Sequence, residues 1–173
     1  MKKSLFIGSA LLLMSGCTSH PGATVTQEET PPKRVVKFVT LSSGVSYLDF
    51  RTISLYDGNP YLRRIDVIHN YNEGMPVKKN PLMMIRSERQ SLVVNCDTHQ
   101  FAHVHKLFFS EHFATGDKIA RMNTPGQWQD YPPTSLIGLT AGLLCKLPAD
   151  RLPAEPERDT QTPDLFTVLQ NGK

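Results

Sequence analysis

His103 and His105 stand two residues apart in "FAHVHKLFF", with His99 four residues ahead of the first. On one regular strand all three would project from the same face, because side chains alternate with a period of two. Two imidazoles placed that way could share a metal ion or meet a haem iron. The more ordinary outcome is a set of exposed or half-buried histidines, so His103 and His105 are kept as candidates only and no cofactor is expected. The other chemistry-bearing residues are Cys17, Cys96 and Cys145. There is no G-x-S-x-G, no phosphate-cradling glycine loop and no H-E-x-x-H, so nothing points to an enzyme.

Cys17 ends the stretch "MKKSLFIGSALLLMSGC". Two lysines, a short apolar run and small residues make a secretory signal. The apolar run is too short to span a bilayer as a helix, which takes about 20 residues. Met14-Ser15-Gly16-Cys17 resembles the bacterial lipobox, in which the thiol is acylated and the signal is cut just before it. The expectation is a signal peptide over residues 1–16 and a lipid anchor on Cys17; the alternative is a plain signal with an incidental cysteine. Thr18, in place of the aspartate that retains Gram-negative lipoproteins at the inner membrane, points to the outer membrane. Without Lys2 and Lys3, basic and acidic residues balance at 17 against 16, which is no nucleic-acid footprint.

With Cys17 assigned to lipid, Cys96 and Cys145 remain, in an oxidising compartment where disulfides persist. They are expected to pair. A Cys-His metal site is the alternative, although the wide spacing without C-x-x-C suits it poorly.

Around these residues the chain has a simple layout. Residues 17–34 are polar, contain prolines and lack periodicity, so they read as a flexible tether reaching roughly 20–25 Å. Residues 35–147 form one domain, long enough for a single core. Residues 148–173 hold Pro148, Pro153, Pro156 and Pro163 among charges and read as a mobile tail, with "LFTVLQ" too short to be a stable helix alone. Inside the domain, "RVVKFVTL", "VSYLDF", "RTISLY" and "YLRRIDVIHNY" read as strands, broken at Ser42-Ser43-Gly44 and at "DGNP". "NEGMPVKKNP" (Asn72–Pro81) reads as a loop. "MIRSERQSLVVNC" and "FAHVHKLFFSEHF" are long strands joined near Asp97–Gln100. Short connections imply an antiparallel meander.

"YPPTSLIGLTAGLLCKLP" changes to helical spacing. Leu136, Leu139, Leu143 and Leu147 make one apolar stripe. Gly138 and Cys145 share another line, with Gly142 beside it. If Cys145 bonds Cys96, that line approaches the strand ending "VVNC", and the disulfide staples a C-terminal helix to the sheet. The alternative is a buried helix whose glycines are merely tolerated. The fold class is α+β.

The domain resembles the surface-adhesin protein E family of Gram-negative lipoproteins. The resemblance rests on "YLDFRTI" (Tyr47–Ile53), "RSERQ" running to "NC" (Arg86–Cys96), Phe109 and Glu111 with Gly116, and Cys145. It implies a small antiparallel sheet of about six strands, a C-terminal helix tethered to it by the disulfide, and frequent homodimers. It also implies adhesion: binding of laminin, vitronectin and plasminogen by a protein of the outer membrane. The family's vitronectin segment corresponds to Pro81–Cys96. Arg86 and Arg89 match it, but a basic pair of the family falls here on Leu82 and Met83. Lys78 and Lys79, a few residues earlier, are the substitutes. The laminin segment maps to roughly Phe38–Ile65 and brings in Arg51, Arg63 and Arg64. The competing reading is a periplasm-facing structural or assembly lipoprotein with no host ligand, since function lives in sites and not in folds.

Overall fold

The computed structural model describes residues 29–79, 81–123 and 125–172. The expected signal peptide and Cys17 lie outside them. Six strands follow in chain order: β1 (Val35–Leu41), β2 (Gly44–Tyr56), β3 (Asn59–Lys79), β4 (Leu82–Asn95), β5 (Gln100–Glu111) and β6 (Thr115–Asn123). Each pairs antiparallel with the next, and the two-residue β7 (Gln129–Asp130) adds to β5. This is the expected meander. The turn at Asp57-Gly58 has φ of 53° and 65°, the left-handed pair that lets a two-residue hairpin follow the sheet's twist.

One expected loop is strand. Residues 72–79 continue β3, with Met75 opposite Ile85, Pro76 opposite Met84, Lys78 opposite Met83 and Lys79 opposite Leu82. The register shift between Asn70 and Met75 absorbs the polar Asn72-Glu73-Gly74 as a bulge. Tyr71 is the last β3 residue paired with β2, so beyond it β3 has a strand neighbour on one side alone. Strand edges and bulges are where proline is tolerated. Reading the Pro/Gly content as a loop misses this because the pairing comes from β4.

Helix α1 (Leu136–Leu144) lies on one face of the sheet. Its N-cap is Ser135, whose Oγ accepts from the Gly138 amide at 3.0 Å. Ala141 and Leu144 pack on Leu48, Ile65, Leu92 and Val94, all buried. Each large apolar side chain fully buried there contributes about 1.5–3 kcal/mol. The disulfide joins Cys96, just after β4, to Cys145, the helix C-cap, across a separation of 49 residues.

Of the leucine stripe only Leu147, past the helix end, packs on the core cluster; the three leucines within the helix do not face it. Leu136, Leu139 and Leu143 are 49%, 58% and 60% exposed. The disulfide fixes the helix rotation, and the small residues along the Gly138–Cys145 line turn inward instead. The reason for the glycines is only half as expected. A Cβ at Gly138 would sit 2.3 Å from the Pro132 carbonyl oxygen and 2.7 Å from that of Pro133, so the close approach is to the preceding loop, not to β4. At Gly142 a Cβ would meet nothing within 4 Å, and that glycine is merely tolerated. Gly142→Ala should therefore raise stability by about 1 kcal/mol, while Gly138→Ala should lower it; urea unfolding midpoints of the two variants check the contrast.

Residues 148–172 make contacts where a mobile tail is expected. The Leu55 amide donates to the Pro153 carbonyl at 2.9 Å, and the Arg121 amide donates to the Pro163 carbonyl at 2.9 Å. Between these anchors the chain crosses the sheet on the face opposite α1, over Arg64, Arg89 and His105. Helix α2 (Leu165–Asn171) is capped by Asp164 and sets Leu165 and Val168 against Val77, Ile85 and Ile119. A seven-residue helix is marginal alone, and this tertiary burial supplies what propensity lacks. The crossing segment, residues 153–163, is a strap tied by backbone bonds at its ends and by Lys118 to Asp159 and Arg121 to Thr162; the proline-rich composition conceals these contacts because every partner is distant in sequence.

Candidate functional site

Three groups of polar side chains stand out on this scaffold. The first lies on the strap face. Asp49 and Asp66 are directly opposite each other on β2 and β3 and are only 2% and 1% exposed. Like charges so placed repel, and each carboxylate is neutralised by its own arginine. Arg51 forks onto Asp49 through Nε and Nη2, both at 2.7 Å. Arg64 Nη2 donates to Asp66 Oδ1 and Oδ2 at 2.6 and 2.7 Å, Ser91 Oγ donates to Oδ1 at 2.8 Å, and Arg89 Nε stands 3.6 Å from Oδ2. The carboxylate beside it holds the Arg51 guanidinium above its ordinary pKa. In "YLDFRTI" and "RRID" the alternation puts Asp and Arg on one face, so these motifs encode a buried ion network.

The candidate arginines thus divide by task. Arg63 is buried on the helix face, donates to the Pro60 and Leu147 carbonyls, and has its pKa lowered by burial. Arg64 is spent on Asp66. Arg51 keeps 45% of its side chain exposed, and Arg89 stacks over the Phe109 ring at 5.4 Å. Arg86 is exposed on the face opposite Arg89, as an odd spacing in a strand requires.

The second group is the far end of the β3–β4 hairpin. The register sets Lys78 and Lys79 across from Met83 and Leu82. Leu82 is 68% exposed and Met83 38%. Among the described residues Lys78, Lys79 and Arg86 form no ion pair. The hairpin end is a mixed basic and apolar surface with its charges available.

The third group lines a groove of about 410 Å³ on the helix face, beyond α1. Tyr71 Oη donates to Glu88 Oε2 at 2.5 Å and Lys106 Nζ lies 2.7 Å from Oε1. His69 holds Ser46 Oγ at 2.9 Å and Ser43 Oγ at 3.2 Å. Burial pushes the pKa of Tyr71 up, and pushes those of His69 and His103 down. His103 belongs to this groove and His105 does not. A bulge between the Leu92–His103 and Gln90–Lys106 pairs sends His105 to the strap face. His99 lies in a turn with φ of 57°. The shared histidine face that regular alternation predicts is therefore broken, and His103 and His105 cannot ligate one metal. No cluster of three or more His, Cys, Asp or Glu with metal-binding geometry occurs among the described residues.

Sequence reasoning did not single out Lys106, Glu88, Lys118 or Arg121. The partners of Lys106 and Glu88 lie on other strands and those of Lys118 and Arg121 in the C-terminal segment, and no local spacing signals them.

The class these observations define is a disulfide-stapled, single-sheet antiparallel domain with cationic side chains on its faces and at a hairpin end. The chain belongs to the surface-adhesin protein E family, whose model matches residues 36–146. The surface-adhesin protein E of Haemophilus influenzae strain NTHi 3655 is 22% identical over 147 residues, covering 83% of this chain and 92% of its own. A structure of Haemophilus influenzae protein E superposes with a TM-score of 0.54 at 20% identity, covering 72% of this chain and 96% of that one. A crystal structure of protein E from non-typeable Haemophilus influenzae gives 0.55 at 19% identity, over 84% and 96%. At this identity the structural likeness speaks for the fold. No helix among the described residues is long and apolar enough to cross a membrane.

Proposed function

We propose that this chain is a lipid-anchored outer-membrane adhesin that binds host extracellular proteins of the laminin, vitronectin and plasminogen kind through the end of the β3–β4 hairpin. The observation that carries the reading is the register. It puts Lys78 and Lys79 beside Leu82 and Met83 and so returns positive charge to the place where the family's vitronectin segment has it. Exposed methionine and leucine next to Arg86 supply the apolar part of such an interface, which favours Met and Arg. The lipid is carried by Cys17, and the residues before β1 are the tether that holds the domain away from the membrane. A homodimer remains part of this proposal.

Two lysines on the neighbouring strand are a weaker match than a basic pair at the family's own positions, because charge-assisted bonds depend on geometry. Vitronectin capture should therefore be weaker than that of a family member carrying the basic pair at those positions. Leu82→Lys with Met83→Arg should strengthen vitronectin capture in a solid-phase assay at low salt. Lys78→Gln with Lys79→Gln and Arg86→Gln should weaken capture and flatten its salt dependence, since exposed charge contacts are screened over about 8 Å at 0.15 M and about 3 Å at 1 M. Salt curves that coincide for wild type and the triple variant, both folded by circular dichroism, would remove the hairpin end as the adhesive site.

A further inference from the structure

The strap that crosses the face opposite α1 covers a cationic floor. A cavity of about 140 Å³ lies between them. On the floor are Arg64, Arg89, Lys118 and Arg121, with His105 among them; on the strap are Glu155, Glu157 and Asp159. Part of the floor's charge is already spent, since Arg64 holds Asp66. Lys118 and Arg121 have their partners in the strap segment: Lys118 Nζ stands 2.6 Å from Asp159 Oδ2, and Arg121 Nε donates to the Thr162 carbonyl at 2.7 Å. Lys118 and the Thr162 amide hold the Asp159 carboxyl well below the usual carboxylate range. The Nε2 atom of His105 is buried and makes no hydrogen bond among the described residues.

The strap itself is lightly held. From Ala154 to Gln161 it contains no large aliphatic side chain, and no residue of that run is buried. Its side-chain ties are ion pairs at the surface, which are typically worth 0–1 kcal/mol each. Arg158 pairs within the strap, to Glu155 at 3.1 Å, and rests over the Tyr56 ring. Its backbone anchors, at Pro153 and Pro163, are at its two ends. A segment with few buried apolar contacts and exposed hydrogen bonds opens locally at low cost. The cationic floor does not share that weakness, because its side chains stand on hydrogen-bonded strands, Arg64 and Arg89 on the central β3 and β4 and Lys118 and Arg121 on β6.

We infer that the strap-covered face is a binding site for an extended acidic peptide segment, and that the chain's own Glu155–Asp159 run occupies it in the unliganded protein. The inference rests on the proposed reading of this chain as a binding protein, and it names a second surface and its partner's chemistry. A peptide is favoured because a peptide sits there now, presenting the Asp159 carboxylate to Lys118 and, just beyond the run, the Thr162 and Pro163 carbonyl oxygens to the Arg121 side chain and amide. A competing ligand pays for opening the strap, so its apparent affinity is reduced by the fraction of molecules in which the strap is open.

The test uses the full chain and a fluorescein-labelled peptide of sequence PAEPERDTQTP, with a second peptide in which its two glutamates and its aspartate are amides. In the key variant Ala154–Gln161 are replaced by a Gly/Ser linker of equal length, which leaves α2 tethered. The acidic peptide should bind this variant at least about tenfold more tightly than wild type, as occlusion by the strap requires. The gain should vanish with the amide peptide and on adding Lys118→Gln and Arg121→Gln. If the linker variant does not fold, Glu155→Gln with Glu157→Gln and Asp159→Asn carries the same comparison. Equal binding to wild type and variant, a gain that the amide peptide shares, or a stronger gain for a heparin fragment than for the peptide would each overturn the inference. Host-protein capture without peptide binding overturns this inference alone; peptide binding without host-protein capture overturns the proposed host ligands and leaves the site.

Discussion

Replacing Cys96 and Cys145 together by alanine lowers the unfolding free energy by about 4 kcal/mol. The bond closes a loop across a separation of 49 residues, and the loss of denatured-chain entropy for a loop of that size is worth about 4 kcal/mol. The loss should be concentrated at α1. Leu136, Leu139 and Leu143 are mostly exposed, and what remains to hold the helix is the contact of Ala141 and Leu144, with the partly buried Ile137 and Leu147, on Leu48, Ile65, Leu92 and Val94. Amide exchange should therefore quicken first along α1 and later in β3 and β4. Equilibrium unfolding in urea measures the total. A change below about 1 kcal/mol would mean that helix and sheet hold together without the staple.

Asp66→Ala is the other large effect, a loss of about 3–5 kcal/mol, the range for breaking a buried ion pair from one side. Arg64 is 10% exposed at its side chain and donates both its short bonds to Asp66, so removing the carboxylate leaves a guanidinium in a site with little water. Arg89 and Ser91 lose a partner too. Arg64→Met combined with Asp66→Leu should recover most of the loss, because replacing a buried pair by apolar residues of similar volume is often neutral or stabilising. A double variant no more stable than Asp66→Ala alone would show that the network does more than neutralise its own charges.

Much of the fold is legible in the residues. The alternation in "YLRRIDVIHNY" and "MIRSERQSLVVNC", the Asp57-Gly58 turn and the pair of cysteines already contain the meander and its staple. What they hide has a common cause, which is that the deciding partner lies elsewhere in the chain. Residues 72–79 look like a loop until β4 pairs with them. Leu136, Leu139 and Leu143 look like a buried stripe until the disulfide fixes the helix rotation. His103 and His105 look like a pair until a bulge that no local motif announces turns one of them over. The candidate sites follow the same rule. Arg86 is an exposed strand residue, as the alternation allows, whereas Lys78 and Lys79, read within a loop, stand on β3. Arg63 and Arg64 are structural because Leu147 and Asp66 need them, and a row of arginines cannot show that by itself. Lys118 and Arg121 have meaning only with the strap above them.

The central claim is that this domain faces outward as an adhesin, and labelling of intact cells tests it most directly. Cells producing the full chain are stained with an antibody to the domain, before and after permeabilisation, and read by flow cytometry. The adhesin account predicts strong staining of intact cells that permeabilisation raises little. Staining that appears only after permeabilisation would contradict it and place the domain in the periplasm.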